Sequence, residues 1–138
     1  MAGETNLKEL LGGMRPMLRP DVFVFATVPS GQPLPAGLQP VMTFHEAEGM
    51  TVIVEESRAH AARLAGTFRC RLITLEVHSS LESVGFLAAV TRRLADAGIG
   101  VNAVSAFFHD HLFVPADRAE QALAILRRLS SDARDGAG

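Results

Sequence analysis

His109-Asp110-His111 sets two imidazoles two residues apart. In an extended strand such a pair projects from one face, close enough to share a metal ion. The pattern stops short of a catalytic centre. A zinc enzyme uses at least three protein ligands, and the chain has neither an HExxH segment nor a Cys/His pair at ligand spacing. His45, His60 and His78 would join the pair only through tertiary proximity. The same alternation turns Leu112 and Val114 toward a core, with His109, His111 and Phe113 on the opposite face. There the histidines either contact a ligand or a second subunit, or serve as hydrogen-bonding groups of the sheet.

A second chemistry lies in Ser79-Ser80-Leu81-Glu82-Ser83-Val84-Gly85. The stretch follows an alternating apolar run and precedes a helical one. A helix N-terminus presents free N–H groups and the positive end of the dipole, which suit a carboxylate. Ser80 and Ser83 either leave those groups to a ligand or cap the helix themselves. Glu82 either meets an ammonium group or complements the dipole. Asn102, an amide among Val101, Ala103 and Val104, has both donor and acceptor capacity, which fits an amino acid's two charged ends or the neighbouring backbone. Glu46, Glu48, Glu55 and Glu56 have no acid–base partner at a useful spacing and read as a solvated hairpin. The lone Cys70 cannot close an intrachain disulfide and reads as a partly buried strand residue.

These groups need elements to hold them. Leu7, Leu10, Leu11 and Met14 recur at helical spacing. Asp21 to Val28 reads as a strand, and Pro29 to Pro40 as a long loop without a helix. Strands at 41–45 and 50–55 flank a Glu46–Gly49 turn, and a helix over 57–64 ends at Gly66. The second half opens with the strand around Ile73, Leu75 and Val77. A helix carrying Leu87, Val90, Leu94 and Ala97 follows, then strands at 99–108 and 109–114. Asp117 and Glu120 resemble a capping box for a last helix with Ala119, Ala122, Leu126 and Leu129 on its buried stripe. The result is βαββα, one strand short of a ferredoxin-like βαββαβ unit. A strand from the first half would complete it.

At 138 residues, with 48% hydrophobic and 20% charged residues and a net charge of −2, the chain suits one domain or two small subdomains. That charge makes nucleic acid a poor partner. No apolar run approaches the roughly 20 residues of a membrane span, and the opening MAGETNLKELLGGM lacks a signal-peptide pattern. The expected location is the cytoplasm.

Gly85-Phe86-Leu87-Ala88, Val90, Leu94, Ala95, Ala97-Gly98-Ile99 and Val101-Asn102 resemble the signature of ACT domains. SSLESVGFLAAV, GIGVNAVSAFFHDHLFVP and EAEGMTVIVEE resemble a family of short stand-alone bacterial proteins with two ACT-like halves. The resemblance implies an α+β fold of tandem ferredoxin-like halves, antiparallel sheets with helices on one face, and a degenerate first half. It places the halves at 1–66 and 67–130, before a disordered tail at 131–138. It implies a regulatory module without catalysis or cofactor, binding an amino acid or related metabolite, usually at an interface between paired ACT units; one sheet face and at least one sheet edge that would otherwise stand exposed point to a homodimer. Carried over by position, its binding elements are Ser79 to Gly85 and the surroundings of Asn102. The competing expectations are an oligomerisation protein that has lost its ligand and a small metal-dependent enzyme built on His109 and His111.

Overall fold

Fourteen residues of the first strand, β1 (Arg15–Val28), form the spine of the molecule. It begins well before the apolar run that announces it, because Arg15 to Leu18 pair with a strand on one side only. An edge stretch tolerates Pro16, and Pro20 falls where the register shifts between Leu18 and Val22. The computed structural model describes residues 6 to 136. Ahead of β1 lies α1 (Leu7–Gly13). After it come β2 (Met42–His45), β3 (Met50–Glu55), α2 (Glu56–Ala61), β4 (Thr67–Glu76), α3 (Phe86–Asp96), β5 (Asn102–Ser105), β6 (Asp110–Pro115), a 3-10 turn (Ala116–Arg118) and α4 (Ala119–Arg134).

The six strands form one antiparallel sheet in the order β2-β3-β1-β4-β6-β5. Two ferredoxin-like units share it. The second unit, β4-α3-β5-β6-α4, takes β1 as its fourth strand, as the sequence pattern requires. The first unit takes β4 in return, so the two central strands belong to both.

All four helices cover one face. Ile73, Leu75, Leu112 and Val114 pack there against α1, α3 and α4, while Val24, Val28, Val52 and Val54 meet Ala59 of α2. No helix follows β1. Leu38, 2% exposed, comes from the long loop to fill that place in the core.

The loop keeps the end of the helix it lacks. Ala36-Gly37-Leu38 repeats Ala97-Gly98-Ile99, with φ of +76° and +72° at the two glycines. Arg58 donates to the carbonyl of Gly37 (2.8 Å), as Arg118 does to those of Ala97 and Gly98 (3.0 and 3.4 Å). This hidden repeat escapes a search for periodicity because it lies in a turn.

The opposite face was expected to stand open. Its centre is instead buried, with Phe23, Ile53, Cys70 and Phe113 no more than 2% exposed. The sheet curls until both edges line one cleft of about 280 Å³, Met42 from β2 and Val104 from β5 facing Leu72 and Phe113. Phe23 and Phe25 meet Phe113 edge-on, with centroids 6.0 and 5.7 Å apart. Burying the rings of Phe23 and Phe113 contributes about 2 kcal/mol each.

Several local expectations need correction. α2 ends at Ala61, because Arg63 at φ +57° closes it and Leu64 N–H bonds to the carbonyl of Ala59. Gly66 serves another need: a Cβ there would lie 2.6 Å from Val24. β5 is only Asn102–Ser105 rather than 99–108. Asp117 does not cap α4, because it sits inside the 3-10 turn, one residue ahead of the N-cap position, which Arg118 occupies. The tail expected to be disordered from residue 131 is helical through Arg134, because Ser130 and Ala133 are buried. Residues 137 and 138 lie outside the described residues.

Candidate functional site

The loop from Ser79 to Gly85 leaves the end of β4 and stops at α3, and its local bonds decide which serine caps what. Glu82 N–H donates to Ser80 Oγ (3.0 Å) and Ser83 N–H to the carbonyl of Ser80 (3.0 Å), closing a turn within the loop. Neither serine reaches the helix. The N-cap of α3 is Gly85 at φ +91°, ψ −11°, a conformation costly for a residue with a Cβ. No side chain caps α3, and helix geometry leaves the first N–H groups without partners inside the helix.

That uncapped end borders a hollow of about 220 Å³. Ser79, Ser80, Leu81, Ser83 and Gly85 form one wall, the first turn of α3 (Phe86, Leu87, Ala88) a second, and Ser105, Ala106 and Asp110 the third. Leu81 is 67% exposed and Phe86 is held in the core, so neither side chain fills the hollow. Asp110 is 9% exposed and accepts a hydrogen bond from Ser105 Oγ. A dipole end that favours negative charge thus faces a sheltered carboxylate that favours positive charge.

Asp110 is the charged residue lining the hollow that sequence reasoning missed. Its signal was its register. It alternates with Leu112 and Val114 on the helix side, where a charge has no place unless it does something. Of the expected ligand residues, Glu82 and Val84 are exposed and outside the lining. Asn102 also stands apart, exposed at the start of β5 opposite Phe113. The strand turns its other end, Ser105, toward the hollow.

His109 and His111 share the curled face as alternation requires, with ring centroids 6.5 Å apart. His111 Nδ1 lies 3.0 Å from Thr74 Oγ1, and His109 Nδ1 lies 3.4 Å from the carbonyl of Val77. Burial lowers the pKa of His111 below the ordinary histidine value; His109 and Arg19 lower it further, while Asp110 opposes them. Among the described residues no three His, Cys, Asp or Glu stand together as a metal would require. Cys70 is fully buried rather than partly so, its Sγ 3.4 Å from the carbonyl of Phe23, and desolvation pushes its pKa up to about 12.

Comparison with known proteins adds the lineage. One family model described as ACT domain matches residues 2–71, and a second, also described as ACT domain, matches residues 67–128. No curated protein matches the chain. A solved Vibrio cholerae protein of unknown function, described as a possible transport protein, is 40% identical over 90% of this chain and 95% of its own, with a TM-score of 0.82. An Agrobacterium tumefaciens protein shares the fold at 17% identity, over 85% of this chain and 89% of its own (TM-score 0.72). So does the ligand-free regulatory subunit of aspartate kinase from Thermus thermophilus, at 15% identity over 83% of this chain and 95% of its own (TM-score 0.64).

Proposed function

The chain belongs to the ACT domain family, with two ACT units in tandem, and on that premise we propose that it is a non-enzymatic sensor that binds an amino acid or a closely related small metabolite. The observation that carries this reading is the hollow between the uncapped start of α3 and Asp110. A zwitterion fits both ends: its carboxylate takes the helix N–H groups, and its ammonium takes the Asp110 carboxylate. A volume near 220 Å³ selects a ligand smaller than a typical drug. We place the protein in the cytoplasm as a homodimer. Exposed Leu81 and Val84 of the loop, and Phe107 and Phe108 just after Ala106, supply an apolar rim for a second copy. A ligand held under that rim shifts assembly by its differential affinity for the two states.

Thermal melting against single amino acids tests the site. A ligand at about 100 times its Kd stabilises by roughly 2.7 kcal/mol, a shift of several degrees for a domain of this size. The shift should vanish in Asp110→Asn and survive in Asn102→Ala. A full shift in Asp110→Asn would remove the site.

The missing helix of the first unit favours a second reading, an assembly protein that keeps the ACT framework without a ligand. Under it no amino acid shifts the melting temperature, and self-association is the same with or without amino acids.

A further inference from the structure

We propose a second binding site, separate from the hollow at α3, for a small molecule bearing a phosphoryl group, held by Arg15, Arg127 and Arg134. The three line one depression of about 410 Å³ together with Ser130, over Met14, Pro16 and Met17.

None of these three arginines is neutralised by a carboxylate, a condition that among the described residues only Arg63 and Arg118 share, and only these three are gathered in one depression. Arg19, Arg58, Arg69, Arg71, Arg92, Arg93 and Arg128 each stand within 4.0 Å of a carboxylate. Arg118 is turned to backbone carbonyls. Among the described residues Arg15 and Arg127 make no ion pair, and Arg134 donates only to neutral groups, the carbonyl of Gly12 (3.0 Å) and Ser130 Oγ (2.9 Å). Acid is not scarce, since Asp and Glu outnumber Lys and Arg by 15 to 13. The nearby acids are simply not engaged here. Glu76, across from Arg15 in the β1–β4 register, forms no ion pair with it, and neither does Asp135 with Arg134. Asp132 is taken by Arg93 and Arg128.

The cluster is also pre-positioned. Arg127, Ser130 and Arg134 fall at i, i+3 and i+7, on one side of α4. Buried Ser130 fixes that side to the end of α1, just ahead of β1, its Oγ 3.0 Å from the carbonyl of Met14 and 3.2 Å from that of Gly12. Guanidinium groups recognise phosphoryl oxygens through forked, charge-assisted hydrogen bonds, and three of them match a dianion better than a single carboxylate. The apolar floor accommodates the organic part of a phosphorylated metabolite.

Calorimetric titration of the full chain with inorganic pyrophosphate at low salt tests the site. Saturable binding with one pyrophosphate per chain is expected. Arg127→Gln and Arg134→Gln should each weaken it about tenfold, the effect of one charge-assisted hydrogen bond. Arg63→Gln, which removes another unpaired arginine outside the depression, should leave it unchanged. Gly12→Ala gives a charge-neutral check, because its Cβ would stand 3.1 Å from Arg134 Cγ and push that side chain by a few tenths of an ångström; slightly weaker binding is expected. Asp110→Asn, at the other hollow, should have no effect. Lack of saturation, an equal loss in Arg63→Gln, or displacement by an equal concentration of acetate overturns the proposal. So does binding to anionic-lipid vesicles without binding to pyrophosphate.

Discussion

Asp110 and His111 are neighbours on one strand, yet the pleat assigns them to different environments. Asp110 turns to the helix side and the hollow, and His111 to the curled face with Thr74, Leu72 and Phe113. The depressed pKa of His111 means that the folded protein prefers the neutral ring, while the unfolded chain takes up a proton near the usual value of about 6.5. Between the folded and unfolded values the unfolded state binds more protons, so stability falls as pH drops through that window and is regained above it. Thermal melts at pH 7.5 and 5.5 should show a loss at the lower pH that His111→Gln reduces. An identical loss in both proteins would contradict the assignment. The alternation already placed His111 on the face opposite Leu112 and Val114, but Asp110 was not given a side. The sequence did not disclose that the face of His111 is covered, because closure of the two sheet edges depends on curl, which no local pattern records.

At the scale of elements, the strands and helices of the second half were legible, since their apolar periods differ cleanly between 2 and 3.6. Errors gathered at ends. Pro16 and Pro20 concealed the early start of β1, and the polar SSDAR segment concealed the last turn of α4, which is buried by α1 rather than by its own composition. Two walls of the candidate site, the loop and the start of α3, were legible in the sequence and the third was not. The loop was in the sequence, but the wall of Ser105, Ala106 and Asp110 required the β5–β6 register. The junction of loop and α3 rests on Gly85. A Cβ there meets nothing nearer than Leu7 Cδ2 at 3.8 Å, so Gly85→Ala carries a backbone cost of about 1–2 kcal/mol rather than a steric one. The expected result is a melting temperature lower by several degrees and weaker ligand binding, read from a smaller amino-acid-induced melting shift. Unchanged stability would mean that the loop relaxes freely.

At the scale of the molecule, the central pair β1 and β4 makes each unit complete only in the presence of the other. Unfolding is therefore expected as one cooperative transition, with fluorescence-labelled and circular-dichroism melts superimposing. Expressed separately, residues 1–66 and 67–138 should each remain unfolded or aggregate through an unpaired edge, and should recover structure when mixed. Two independent transitions, or a well-folded isolated half, would contradict this. The shared strands also constrain descent. The first unit has no helix after β1, and so lacks the wall that α3 supplies in the second unit, yet it cannot be discarded. To delete it would tear β1 from the sheet of the second unit, so a half without the wall that α3 provides stays indispensable as its neighbour's scaffolding.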